Sequence, residues 1–157
     1  MTGNLTIVKG LGWMTTENAL AGRTVPGLVQ RLARRNTATL ARALEDAGMD
    51  DLPPAQALLL PVIGRDERAA RVAERAGVAR QTVAQAIAGL ERSGYVERDE
   101  DPDDARAKLV HLTRRGREAI AVVRAAGVAE QRRWAKILGP ERLADLREHL
   151  LDLLESD

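Results

Sequence analysis

Two apolar-striped segments, 66–76 and 80–93, are separated only by Gly77-Val78-Ala79, and that join constrains the fold more than any other feature of the chain. Ala69, Val72, Ala73 and Ala76 recur at helical spacing in the first segment, and Val83, Ile87 and Leu90 in the second. Gly77 supplies the positive φ needed to end one helix and turn into the next. Two short helices joined this tightly cross steeply and leave one side of the second exposed. Ala73 is small enough for their close approach, and Val78 and Val83 are expected to pin the pair together. Gly94 ends the second helix. Beyond it, 95–98 and 108–112 read as two strands, joined by the very polar stretch 99–107.

The flanking sequence is helical. From Pro26 to about Ala47, Leu28, Val29, Leu32, Leu40 and Leu44 keep helical spacing, with Arg31, Arg34, Arg35 and Arg42 on the opposite side. A second helix is predicted from Pro53-Pro54 through Leu60, where Pro61 bends or ends it. Thr113 opens a long helix carrying Ile120, Val123, Ala126 and Trp134. Gly139-Pro140 breaks the chain before a last helix with Leu143, Leu146, Leu150, Leu153 and Leu154. Residues 1–24 hold four glycines and no sustained period, so they read as a loose arm, with Met14 a plausible translation start. The fold class is therefore mainly α with a small β-hairpin wing. A winged helix-turn-helix lobe spans 51–112, and 25–50 with 113–157 form a helical region on either side of it in sequence.

The exposed side of the second short helix offers Arg80, Gln81, Thr82 and Gln85 near its N-terminal end. These side chains suit base edges: Arg to guanine, Gln to adenine, Thr to a methyl group or a phosphate. An ordinary solvated helix face would carry similar residues, so the hairpin matters. It places Arg106 and Lys108 near the tip of a wing, where an arginine enters the minor groove. Asp104, two residues earlier, is near enough to orient the Arg106 guanidinium; a plain acidic turn is the alternative.

On these residues the chain resembles the MarR (multiple antibiotic resistance regulator) family, from about Pro26 to Leu154. The marks are Val72-Ala73-Glu74-Arg75-Ala76-Gly77-Val78, Leu90-Glu91-Arg92-Ser93-Gly94-Tyr95-Val96-Glu97-Arg98, and the wing 101–107 with Leu112-Thr113. The resemblance implies a homodimeric, ligand-responsive repressor that pairs its first and last two helices between subunits, which makes 25–50 and 113–157 a helical dimerisation region. It also implies a small phenolic or other aromatic effector bound between the dimer helices and the DNA-binding lobe, and it makes Asp104 and Arg106 the wing aspartate and arginine. Three positions depart from the pattern. Ala79 stands where a serine usually caps the recognition helix, a loss of about 1 kcal/mol. Ala105 replaces a frequent arginine, and Pro61 is unusual in the second helix.

Composition limits the alternatives. Apolar residues make up 45% of the 157, nearly all Ala, Leu and Val, with no Phe, which favours a helical core. With no cysteine, disulfides, thiolate zinc sites and thiol-based sensing are excluded. His111 and His149 are too far apart in sequence to argue for a metal site. Trp13 and Trp134 are candidates to line a ligand cavity, although packing is the commoner role. No apolar run approaches the roughly 18 residues that span a bilayer, so no membrane partner is expected and the cytoplasm is the expected compartment. The net charge of only +1 requires the basic groups to gather on one face. No phosphate-cradling glycine loop and no nucleophile-and-base set occurs, so an enzyme is not expected and no cofactor is required. The expected partners are double-stranded DNA at an inverted repeat and a second copy of the chain. The alternative function is a winged-helix protein–protein interaction module without specific DNA binding.

Overall fold

A computed structural model of the chain describes residues 24–64 and 67–156, with Ala105 and Arg106 described by their backbone alone. The helices are α1 (Val25–Asp46), α2 (Pro54–Ala57), α3 (Ala69–Ala76), α4 (Arg80–Arg92), α5 (Arg114–Leu138) and α6 (Pro140–Glu155). A 3₁₀ turn spans Leu60–Val62, and the strands are β1 (Glu67–Arg68), β2 (Val96–Asp101) and β3 (Asp104–Leu112). The strands form one antiparallel sheet in the order β1-β3-β2. The chain divides into two compact units, Met1–Thr39 and Leu40–Asp157.

In the first unit the described residues begin α1, whose Gly27 N–H is accepted by the Thr24 hydroxyl at 3.3 Å. Val25, Leu28 and Val29 are exposed along it. In the second unit, Leu40 and Leu44 from the end of α1 join a core with Leu60, Val72, Val83, Ile87, Leu90, Tyr95, Val96 and Val110. The expected order of long helices, helix-turn-helix and hairpin is present. The expected loose arm, including Trp13 and Met14, lies outside the described residues.

Four local expectations are corrected. The predicted helix from Pro53 to Leu60 is two pieces, because Pro61 enters a 3₁₀ turn instead of bending a continuous helix. The helix predicted to begin at Asp66 begins at Ala69, since Glu67 and Arg68 pair with Val110 and Leu109 as a third strand. The stretch 99–107 is not an open polar loop. Both strands run on through it, and the turn is confined to Pro102-Asp103. Finally, Val83 is fully buried but Val78 is 38% exposed, so of these two valines only Val83 packs into the core beneath the helix pair.

The free edge strand β2 reads Val-Glu-Arg-Asp-Glu-Asp, and such charge density discourages edge-to-edge pairing with another chain. The start of α5 is bound tightly to the start of the hairpin. The Thr113 hydroxyl accepts the Gly116 N–H at 3.0 Å and donates to the Gly94 carbonyl at 2.8 Å, while the Thr113 N–H reaches the Tyr95 carbonyl at 3.2 Å. This is a Thr N-cap with a second task, holding the helix to the strand.

Candidate nucleic-acid interface

The helix-turn-helix is α3 and α4. Gly77 adopts φ +63°, and its N–H with that of Val78 satisfies the last carbonyls of α3. Along α4, Val83, Ile87 and Leu90 are buried to 1% exposure or less. Arg80, Gln81, Thr82 and Gln85 are all exposed, as the sequence predicts, and they gather on the first two turns. Ala79 makes no side-chain cap, which leaves the first-turn N–H groups open to an outside acceptor.

The wing is β2 and β3, registered from Val96↔Leu112 to Glu100↔Lys108 before a shift at Glu100/Asp101 closes the turn. Lys108 is half exposed and sits 3.3 Å from Glu100. Asp104 opens β3 and is exposed. The backbone of Arg106 lies within β3; its side chain, and so the expected contact with Asp104, falls outside what is described.

The acid that shapes the wing is one the sequence reading passed over. Asp101 is buried: one carboxylate oxygen accepts the Asp103 N–H at 2.9 Å, and the other receives Arg68 Nε at 2.6 Å. The Asp103 N–H and then Arg68 hold the Asp101 carboxyl below the usual carboxylate range. The first contact makes the tight Asx-type turn, and the second ties the wing tip across β3 to β1. Without β1, which is only two residues long, no sequence periodicity could have pointed to Arg68. Arg68→Ala should therefore lower the unfolding midpoint, because the buried Asp101 carboxylate loses its cation, and amides near residues 101–106 should exchange faster. Hydrogen exchange read residue by residue checks this, and unchanged exchange at the turn would remove the role given to Arg68.

A second network fixes the wing root. The buried Tyr95 hydroxyl donates to Asp51 at 2.8 Å, and Arg115 donates to both Asp51 oxygens at 3.0 and 2.8 Å. Arg115 also donates to the Ser93 carbonyl at 2.7 Å and lies over the Tyr95 ring, 4.4 Å from its centroid. The Tyr95 hydroxyl, then Arg115, lower the Asp51 pKa, whereas burial first and the Asp51 bond second push Tyr95 up to about 12. Arg115 is thus a structural cation of the wing root.

On the far side, α5 and α6 pack with a groove of about 200 Å³ between them, lined by Trp134, Leu143, Leu146, Leu150, Leu151 and Leu154. Ile137, Leu153 and Leu154 are 65–77% exposed in the single chain. The Trp134 indole N–H donates to Glu130 at 2.7 Å. His111 lies on β3 and His149 on the exposed side of α6. Among the described residues no three potential ligands are placed to hold a metal, and no helix is long and apolar enough to cross a membrane.

Several solved structures share this fold. A crystal structure of MarR superposes with a TM-score of 0.70 at 24% identity, covering 85% of this chain and 90% of that one. FabT of Streptococcus pneumoniae in complex with DNA gives 0.72 at 22% identity, covering 83% and 93%. The S. aureus MepR–DNA complex gives 0.74 at 19% identity, covering 85% and 98%. Among curated proteins no sequence matches the chain. Residues 50–107, which hold the helix-turn-helix and most of the wing, match the model of the MarR family.

Proposed function

We infer that the chain is a transcriptional regulator that binds double-stranded DNA as a homodimer, and not an enzyme. The observation that carries this is the split character of α4. One side is wholly buried, and the other presents Arg80, Gln81, Thr82 and Gln85 at its N-terminal end beside a two-stranded wing. In this reading α4 enters the major groove, with Gln85 and Arg80 as base readers. Arg106 enters the adjacent minor groove, with Asp104 orienting it, while Lys108 contacts the backbone.

The dimer is supported by the apolar groove of α5 and α6 and by the uncovered Ile137, Leu153 and Leu154, which a two-fold partner would bury. A two-fold dimer presents its α4 helices about one DNA turn apart, so the site is an inverted repeat. The regulator is a repressor, and its effector is a small phenolic or other aromatic compound seated between the dimer helices and the winged lobe. No cofactor is required. Its place of work is the cytoplasm, where the DNA is.

Fluorescence anisotropy of a labelled promoter duplex over a salt series tests the reading. Neutralising several phosphates makes log K fall with log salt at about 0.9 per phosphate contacted. A slope near zero would favour a protein-binding module. Arg106→Ala is expected to weaken binding several-fold, most strongly at A·T-rich flanks. Equal binding by wild type and variant at moderate salt would take Arg106 out of the interface. Light scattering that finds a monomer at micromolar concentration would remove the inverted repeat.

A further inference from the structure

The last turn of α3 sends two neighbouring side chains in opposite directions. Arg75 reaches back and donates to Glu67 at 2.5 Å and to the Val62 carbonyl, serving the fold. Glu74 reaches forward across the Gly77 turn, where its Oε1 accepts from Arg80 Nη2 at 3.2 Å. Both partners of this second pair are largely open to solvent, at 54% and 75%. An ion pair so exposed contributes little to stability, so the fold gives no reason for it.

Its position does. Arg80 is the first residue of α4, and the uncapped N–H groups there attract any anion, a phosphate included. A free arginine at that point would be taken by whichever phosphate came near, whatever the sequence. We propose that Glu74 is a specificity-determining residue of the DNA site, acting through Arg80. By holding one end of the guanidinium it withdraws a positive charge from indiscriminate phosphate binding and leaves the other N–H groups directed toward a base edge. Glu74 is a positioning residue in this scheme, and the proposal rests on α4 being the helix that faces DNA.

The test compares wild type, Glu74→Gln, Arg80→Gln and the double variant. Each is titrated against the tightest duplex selected from random-sequence DNA, and against a scrambled duplex of the same length and composition, over a salt series. Glu74→Gln is expected to bind the scrambled duplex about 3- to 10-fold more tightly, with a salt slope steeper by about one phosphate. Its affinity for the selected duplex should change less than about twofold, so the ratio between the two falls about fivefold. In the Arg80→Gln background the same substitution should leave the ratio unchanged. Equal tightening on both duplexes would reduce Glu74 to a bulk charge and overturn the proposal, as would no change on either, or a fall in ratio that persists without Arg80. If wild type itself fails to separate the two duplexes, the DNA-binding reading falls, and this proposal with it. Unfolding midpoints of the variants, expected to match wild type, show that the comparison is made on folded protein.

Discussion

Gly116→Ala is expected to lower the thermal unfolding midpoint by about 10 °C, a loss of about 3 kcal/mol for a chain of this size. Helix propensity alone points the other way, since alanine is favoured over glycine by about 1 kcal/mol inside a helix. Here sterics win. A Cβ on Gly116 would overlap the Tyr95 backbone carbonyl oxygen and lie 3.2 Å from the Leu112 side chain. The carbonyl has no freedom to retreat, because it accepts the Thr113 N–H and belongs to the residue that enters the wing. To admit the methyl group, α5 must lift from the hairpin and strain the Thr113 bonds to Gly94 and Gly116. A calorimetric midpoint equal to or above that of wild type would show that α5 and the wing root are not in this contact.

Asp51→Ala should destabilise by about 2 kcal/mol, because it leaves the Tyr95 hydroxyl without its acceptor at a site with no exposure to solvent. Adding Tyr95→Phe removes the stranded hydroxyl, so the double variant should be less destabilised than the sum of the singles. Denaturant unfolding of the four proteins measures this directly, and strict additivity would contradict the coupling. The network also sets a pH window. The folded pKa of Asp51 is lowered, so its contribution is present above the ordinary carboxylate value and is lost as pH falls through the lower folded value. For Tyr95 the sign is opposite. The unfolded chain ionises near pH 10 and the folded one near 12, so stability is full below 10 and declines as pH rises from 10 to about 12. Tyr95→Phe should flatten that alkaline decline.

Where one side chain is answered by one period, the sequence was legible. The buried stripe of α4, the Gly77 turn, the Thr113 start and the Pro140 start of α6 follow from helical spacing, glycine and proline geometry and capping. Arg80, Gln81, Thr82 and Gln85 stand exposed together because the opposite side of that helix is so clearly apolar. What the sequence hid depends on partners far along the chain. Glu67 and Arg68 form a strand only because β3 passes beside them, 42 residues beyond Glu67 in the Glu67↔Val110 pairing when the ends are left out. The strands extend through 99–107 because cross-strand pairs such as Glu100 with Lys108 and the buried Asp101 replace the apolar alternation that usually marks a strand. Gly116 carried no signal either, since a glycine in a first turn is ordinary until a carbonyl is found against it.

The central claim is that α4 and the wing read DNA as a pair of half-sites. Selecting bound fragments from the source organism's own genome with the purified protein, then footprinting the most enriched one at two salt concentrations, tests it most directly. The expected result is protection of an inverted repeat with half-sites about one helical turn apart, overlapping a promoter and fading at the higher salt. No fragment enriched above background even at low salt, or protection without a repeat, would contradict it.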